Sequence, residues 1–125
     1  MFEGKAEEAM RFYTSLFADS EIRTMTRYGP GEAGPEGTVQ LATFALAGQE
    51  FKCIDSFVSH EFTFTPSMSL YVQCDSDAEI ERLYDALGQD GQVLMPLDSY
   101  DFSARFGWVN DAFGVSWQLN LAESD

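Results

Sequence analysis

The sequence repeats one order of secondary-structure elements, and this repeat constrains the fold more than any other feature. The first half opens with a helical pattern at residues 5–17, where apolar side chains recur at helical spacing and charged ones lie opposite. Three strand patterns follow, separated by turns rich in glycine and proline, at residues 21–28, 38–46 and 49–56. Only Met1 to Gly4 precede the helix, so this half lacks a full opening strand.

The second half begins with a strand. Its pattern at residues 65–74 leads into a helix opened by Ser76, with Glu79 three positions later as a capping box. The helix ends near Gly88, and three further strand patterns follow at residues 92–97, 105–110 and 115–121. The helices carry the similar segments FYTSL and LYDAL at matching places, which strengthens the interpretation as a repeat.

We therefore predict an α+β fold of two βαβββ modules, residues 1–57 and 65–121. The modules are expected to form one curved mixed sheet with both helices on its convex side. A chain of 125 residues with 45 % hydrophobic side chains can bury one core, so we expect a single domain spanning residues 1–125.

The charge of the chain argues against several kinds of partner. Asp and Glu number 21 against 7 Lys and Arg, which gives a formal charge of −14 that repels phosphate backbones and anionic headgroups. We expect no nucleic-acid or membrane partner. No apolar run is long enough to span a bilayer, and residues 1–10 do not resemble a secretory signal, so a cytoplasmic location is expected.

Two strand patterns carry rows of neutral polar side chains. Strict alternation places Ser67, Ser69, Tyr71 and Gln73 on one face of the strand at 65–74, with Met68, Leu70, Val72 and Cys74 on the core face. The same alternation places Ser116, Gln118 and Asn120 together on the last strand. These rows either line a binding cavity or form a solvated sheet face, and the alternation is compatible with both.

Several other residues are candidates for a site, each with a structural alternative. Cys53 is either a small buried hydrophobe or a ligand, and Asp55 is either a capping acceptor or an acid of the site. His60, the only histidine, is a surface residue or a base, with no orienting partner evident. Trp108 and Phe106 belong to the core or stack on a planar ligand.

Five blocks in order resemble one protein family: RYGPGEAGPEGTV, QEFKCIDS, FTFTPSMSL, LMPLDSY and FGWVNDAFGVSWQLNL. The chain resembles the PhnB-like branch of the vicinal oxygen chelate superfamily, a branch often labelled 3-demethylubiquinone-9 3-methyltransferase. Glyoxalase I, extradiol dioxygenases and bleomycin resistance proteins are its relatives. The resemblance implies a cup-shaped sheet, homodimers and, in the enzymes, a metal held by residues from four strands.

The resemblance also implies where metal ligands would lie. The last-strand ligand falls on Gln118, the ligand that opens the second module falls near Ser67, and a third falls on Cys53 or Asp55. Neutral amide and hydroxyl groups are poor ligands for hard divalent ions, so we expect no metal and no other cofactor.

These observations favour a small-molecule-binding protein of the glyoxalase and bleomycin-resistance type, acting as a homodimer. The alternative is an enzyme of the superfamily, of lyase, isomerase or dioxygenase type, with Asp55 or His60 as base. A methyltransferase is disfavoured, because the glycine-rich segment at residues 29–37 joins two strands and does not open a helix. The expected ligand-binding residues are Cys53, Asp55, His60, Ser67, Ser69, Tyr71, Trp108 and Gln118.

Overall fold

The computed structural model describes residues 1–122 and divides the chain into two compact units, Met1–Glu61 and Phe62–Asp125. The boundary between the units lies in the segment that separates the two predicted modules.

The first unit contains one helix and a three-stranded antiparallel sheet. Its elements are α1 (Ala6–Leu16), β1 (Glu21–Arg27), β2 (Val39–Leu46) and β3 (Gln49–Cys53). The strands lie side by side in the order β1-β2-β3. The buried residues of α1 are Ala6, Ala9, Met10 and Tyr13, which confirms the predicted apolar stripe.

Phe2 pairs with the chain just after β3 in the first unit. Phe2 forms an isolated parallel bridge with Asp55, just beyond the end of β3. The N–H of Phe2 donates to the carbonyl of Ile54 at 2.9 Å, and the N–H of Ser56 donates to the carbonyl of Phe2 at 2.6 Å. This bridge takes the place of the opening strand, so the elements of the first unit follow the βαβββ order.

The second unit has the complete βαβββ order. Its elements are β4 (Leu70–Cys74), α2 (Asp77–Gly88), β5 (Gln92–Tyr100), β6 (Ser103–Asn110) and β7 (Ser116–Leu121). The sheet order is β4-β7-β6-β5, where β4 and β7 run parallel and the remaining pairs are antiparallel. In each unit the segment before the helix thus pairs in parallel with the end of the unit, through the Phe2–Asp55 bridge in the first and through β4 and β7 in the second. This shared topology accounts for the sequence repeat.

The predicted capping box forms at the start of α2. The Ser76 hydroxyl accepts the N–H of Glu79 at 3.1 Å, and the Glu79 carboxylate accepts the N–H of Asp75 at 2.8 Å. Both contacts satisfy backbone donors that have no partner within the helix.

Helix α2 covers one face of the four-stranded sheet. The residues Ile80, Leu83 and Leu87 are fully buried, and each contributes about 1.5–3 kcal/mol of apolar burial. The guanidinium of Arg105 contacts carboxylates of α2, which places the odd-numbered residues of β6 on the helix side. We call the opposite side the far face; it carries the even-numbered residues of β6 and β7 and their odd-numbered neighbours on β4.

Two arginines connect strands to helices through ion pairs. Arg27 of β1 binds Glu7 of α1 through both guanidinium ends, at 2.6 and 2.7 Å. Hydrogen bonding from Arg27, together with that from Arg11, lowers the pKa of Glu7 from 4.5 to about 2. Arg105 of β6 contacts Asp77 and Glu81 of α2 in the second unit.

The start of β4 differs from the prediction. The strand begins at Leu70 instead of residue 65, because residues 65–68 form a turn in which the Met68 N–H points to the Thr65 carbonyl. Pro66 lacks a backbone donor and restricts the residue before it, which favours this turn. Met68 is 80 % exposed, so its predicted place on the core face is wrong, and Ser67 lies outside the strand.

No helix within residues 1–122 is long and apolar enough to cross a membrane.

Candidate functional site

Three side chains form a row across the centre of the far face. Gln118 of β7 lies between Tyr71 of β4 and Trp108 of β6, and both are its partners in the strand register. Side chains in register on neighbouring strands point to the same face of the sheet, and the strands lie about 4.8 Å apart. Tyr71 is 58 % exposed, whereas Trp108 and Gln118 are half-buried. The row thus presents an amide flanked by two aromatic rings.

A serine pair fixes the orientation of the Trp108 ring. The hydroxyls of Ser69 and Ser116 are 2.7 Å apart, and the indole Nε1–H of Trp108 donates to the Ser116 oxygen at 2.8 Å. This small network joins the residue just before β4 to β7 and β6. Because a hydrogen-bonded indole cannot rotate freely, Trp108 is held in place beside Gln118.

A second polar group on the far face is also satisfied internally. The Asn120 amide donates to the Gln73 oxygen at 3.1 Å, and its own oxygen accepts the Ser103 hydroxyl. The row of Ser116, Gln118 and Asn120 is therefore polar along its length, as the alternation predicts. Its two ends make side-chain hydrogen bonds within the protein.

The central amide is different. Among residues 1–122, no hydrogen bond reaches the Gln118 side chain. Gln118 thus keeps an N–H₂ donor and a carbonyl acceptor available between two aromatic rings.

Asn110 lies on the same face and was not identified from the sequence. It pairs with Ser116 in register, and its amide nitrogen lies 3.4 Å from the Gln92 oxygen. Its side-chain oxygen is buried and has no hydrogen-bond partner among residues 1–122. The alternation along β6 indicates this position, because Asn110 is two residues from Trp108 and therefore lies on the same face of the strand.

An aromatic cluster bounds one end of the far face. Phe106 of β6 is buried against Tyr100 and Phe102 from the β5–β6 hairpin, with Phe102 perpendicular to it at a ring distance of 5.0 Å. Tyr100 and Phe102 stack at 5.6 Å, and the Tyr100 hydroxyl donates to the carbonyl of Pro96. Of the two aromatic candidates on β6, Phe106 is therefore packed within this cluster, whereas Trp108 is half-buried beside Gln118.

The contacts of Asp55 are those of a capping acceptor. One carboxylate oxygen accepts the N–H groups of Gly4 and Ala6, both at 2.9 Å, and the other accepts the N–H of Val39 at 3.0 Å. Asp55 is only 4 % exposed. Its carboxylate is thus committed to the start of α1 and of β2, and little of it can meet a ligand.

Both cysteines are buried free thiols. Cys53, 7 % exposed, pairs with Ala42 on the strand face that also carries Phe44 and Phe51. Burial is the main cause that raises its thiol pKa from 9.0 to about 11. Burial raises the pKa of Cys74 to about 11 as well, and this confirms that Cys74 is a buried small hydrophobe.

His60 has an orienting partner that the sequence did not reveal. Its Nε2 atom is 2.9 Å from the Ser56 hydroxyl, and its backbone N–H points to the Glu3 carboxylate at 3.4 Å. Ser56 and His60 lie in an irregular segment, where no periodicity indicates which side chains meet.

Comparisons with known proteins assign the family. A family profile described as 3-demethylubiquinone-9 3-methyltransferase matches residues 1–120. The chain belongs to this family.

Relatives of the family include proteins from several bacteria. The chain is 25 % identical over 89 residues to Protein YjdN of Escherichia coli K12; the match covers 71 % of this chain and about 60 % of the length of YjdN. A solved PhnB protein from Bacillus cereus is 64 % identical, with a TM-score of 0.96 over 98 % of this chain and 95 % of that chain.

A more distant structure establishes the fold. A glyoxylase/bleomycin resistance protein/dioxygenase domain from Frankia is 16 % identical, with a TM-score of 0.62 over 90 % of this chain and 85 % of that chain. The fold is therefore that of the glyoxalase or vicinal oxygen chelate superfamily, as the sequence predicts.

The residues at the implied metal-ligand positions do not fit a divalent metal. Gln118 offers a neutral amide, Ser67 lies in a turn with its hydroxyl 2.6 Å from Thr65, and the Cys53 thiol is kept protonated by burial. Asp55 already accepts three backbone hydrogen bonds. Within residues 1–122, no group of three or more His, Cys, Asp or Glu side chains is arranged to hold a metal ion.

Proposed function

We propose that this protein binds a small organic molecule on the far face of its second unit, as a binding protein of the glyoxalase and bleomycin-resistance type. The observation that most supports this is the row of Tyr71, Gln118 and Trp108, in which two rings flank an amide that has no hydrogen-bond partner among residues 1–122. Small-molecule sites are typically apolar surfaces with a few well-placed polar groups. Ser69 contributes by fixing Trp108 through Ser116.

We propose that binding needs no metal and no other cofactor. The donor chemistry at the implied ligand positions supports this, because a hard cation needs carboxylates or several imidazoles. Of the predicted ligand-binding residues, we retain Ser69, Tyr71, Trp108 and Gln118 for the site. We assign structural roles in the first unit to Asp55 and Cys53. Ser67 lies in the turn that precedes β4, and we do not include it in the site.

A thermal-shift screen of varied small organic molecules tests this function. A specific ligand at 100 times its Kd stabilises the native state by about 2.7 kcal/mol. The stabilisation should shrink strongly in Gln118→Leu and persist in the control Gln49→Leu, which changes an exposed glutamine of the first unit. A screen in which every stabilising compound acts equally on both variants would place binding elsewhere.

An enzyme is the alternative, and the contact between Ser56 and His60 favours it. A hydrogen-bonded serine orients an imidazole, which is a requirement for general-base catalysis. Under this alternative, His60 would take a proton from a bound substrate. Incubation of each screening hit with the protein, followed by mass spectrometry, separates the two functions. A binding protein returns its ligand unchanged. An enzyme whose base is His60 converts the compound and loses this turnover in His60→Ala.

We do not propose a methyltransferase activity, although the family description names one. Residues 29–37 form a loop between β1 and β2, and this loop is closed by hydrogen bonds between Tyr28 and both Thr38 and Gly37. A nucleotide-type cofactor usually binds where a glycine-rich turn leads from a strand into a helix. The loop here leads from one antiparallel strand into the next.

We also propose a homodimer. β3 lies at the edge of its sheet, where Phe2 is the one residue within 1–122 that pairs beyond it, and exposed strand edges favour association. Phe57 and Val58, which follow this edge, are each 52 % exposed, an apolar surface that a second copy can cover. Light scattering at micromolar concentration should give twice the chain mass; a monomer mass would refute the dimer.

We propose a cytoplasmic protein in which residues 1–125 act as one domain, without nucleic-acid or membrane partners. The formal charge of −14 supports the absence of such partners. Co-sedimentation with anionic vesicles and gel shift with DNA should both be negative at physiological salt.

A further inference from the structure

We infer that the ligand is an uncharged planar cyclic amide, a ring that carries an N–H and a C=O side by side. This inference rests on the proposed function and specifies the ligand for the same site. It is carried by the hydrogen-bond inventory of the far face and by the two rings beside Gln118.

Among residues 1–122, Gln118 is the far-face amide that makes no hydrogen bond, because the Asn110 nitrogen points to Gln92 and the unpartnered Asn110 oxygen is buried. Ser69, Ser116 and the Trp108 indole satisfy one another, as do Gln73 and Asn120 with Ser103. Between these two groups, the Gln118 amide has no hydrogen bond within residues 1–122, although it is half-buried. A half-buried amide without partners gains most from a ligand that satisfies both its donor and its acceptor.

A cyclic amide is complementary to both the donor and the acceptor of the Gln118 side chain. Its N–H can donate to the Gln118 carbonyl oxygen while its carbonyl accepts from the Gln118 N–H₂. Because both bonds lie in one plane, the ligand ring extends from Gln118 as a flat plate. Tyr71 and Trp108, the register partners of Gln118, then offer ring faces or edges on either side of that plate.

The charge pattern favours a neutral ligand. The three residues of the central row carry no charge. Beside the central row, Asp98 of β5 is in register with Phe106 of β6. The Asp98 carboxylate accepts the backbone N–H of Ser99. An anion would meet this carboxylate and the net negative charge of the chain, with no cation on the central row to offset them.

Isothermal titration calorimetry with matched ring compounds tests the inference. The probes are 2-quinolone, which has adjacent N–H and C=O groups, N-methyl-2-quinolone, which lacks the donor, and quinoline-2-carboxylate, which is an anion of similar shape. We expect 2-quinolone to bind about tenfold more tightly than its N-methyl form, the effect of one hydrogen bond to an otherwise unsatisfied group. The anion should bind least.

Two variants identify the residue responsible. Gln118→Leu should abolish the preference for 2-quinolone over the N-methyl form, and Gln49→Leu should retain it. Equal binding of the two quinolones to the wild-type protein, or stronger binding of the anion, would overturn the inference while leaving a binding function at this face. Failure of all three probes would also overturn the inference, and the proposed function would then be decided separately by the screen of varied compounds.

Discussion

The side-chain Oδ1 atom of Asp55 accepts the backbone N–H of Ala6 at 2.9 Å, across 49 positions of sequence. Ala6 is the first residue of α1, and the N-cap residue Lys5 makes no side-chain cap. A distant carboxylate therefore performs the capping that Ser76 performs locally for α2. The negative charge also lies at the positive end of the helix dipole.

Asp55→Ala should strongly destabilise the protein. The substitution leaves three buried or part-buried backbone donors without an acceptor, so we expect a loss of about 2–4 kcal/mol in the free energy of unfolding. Urea unfolding followed by circular dichroism measures it. The control Asp85→Ala removes an exposed carboxylate of α2 and should change stability by less than about 0.5 kcal/mol. Similar losses in both variants would contradict the capping role.

Gly107→Ala tests how closely α2 packs on the helix side of β6. A Cβ atom at this position would lie 2.8 Å from the Tyr84 ring of α2, so the ring or the helix must shift. We expect a loss of about 1–3 kcal/mol in stability from this overpacking. Gly88→Ala is the matched control, because its Cβ would make an ordinary 3.6 Å contact with Val109. Thermal unfolding that leaves the Gly107→Ala variant at wild-type stability would show that α2 does not pack closely at this position.

Much of the fold follows from the sequence because its determinants are local. The apolar stripe of α1 and the Ser76 capping box each depend on residues within a few positions of one another. The start of β4 was placed too early, because residues 65–69 continue the alternation of the strand while Pro66 and a local turn keep them out of it. Alternation alone does not show where pairing begins.

The site was predicted less completely. Alternation placed Ser69, Tyr71 and Gln118 on a common polar side, and the register of β4 with β7 brings these rows together. The sequence left Asp55 with two roles, since its partners lie far away in the chain. The contact between Ser56 and His60 depends on an irregular segment, for which no repeating pattern exists.

The thiols of Cys53 and Cys74 should react slowly in the native protein. Burial raises both pKa values from 9.0 to about 11, so the thiolate is about a hundredfold scarcer than at an ordinary cysteine at pH 8. Because the folded pKa lies above the unfolded one, the thiols favour folding below pH 9 and lose that effect as pH rises to about 11. Ellman's reagent should label both only after unfolding; rapid native labelling would show that burial is incomplete.

Gln118→Glu should destabilise the protein at neutral pH. The substitution places a carboxylate in a half-buried position between Tyr71 and Trp108, at a cost of about 1–3 kcal/mol. Added Mn²⁺ or Mg²⁺ should not restore stability, because the other implied ligand positions supply no suitable donors. Urea unfolding with and without each ion gives the answer. A variant that regains wild-type stability with a stoichiometric ion would show that a metal site is one substitution away.

The most direct test of the account is the affinity of the wild-type protein for a hit from the screen, measured by calorimetry before and after exhaustive treatment with EDTA. We predict the same Kd in both cases, and a Kd at least about tenfold weaker in Gln118→Leu than in Gln49→Leu. Loss of binding after chelation, restored by a divalent ion, or equal affinity in the two variants, would contradict a metal-independent site at Gln118.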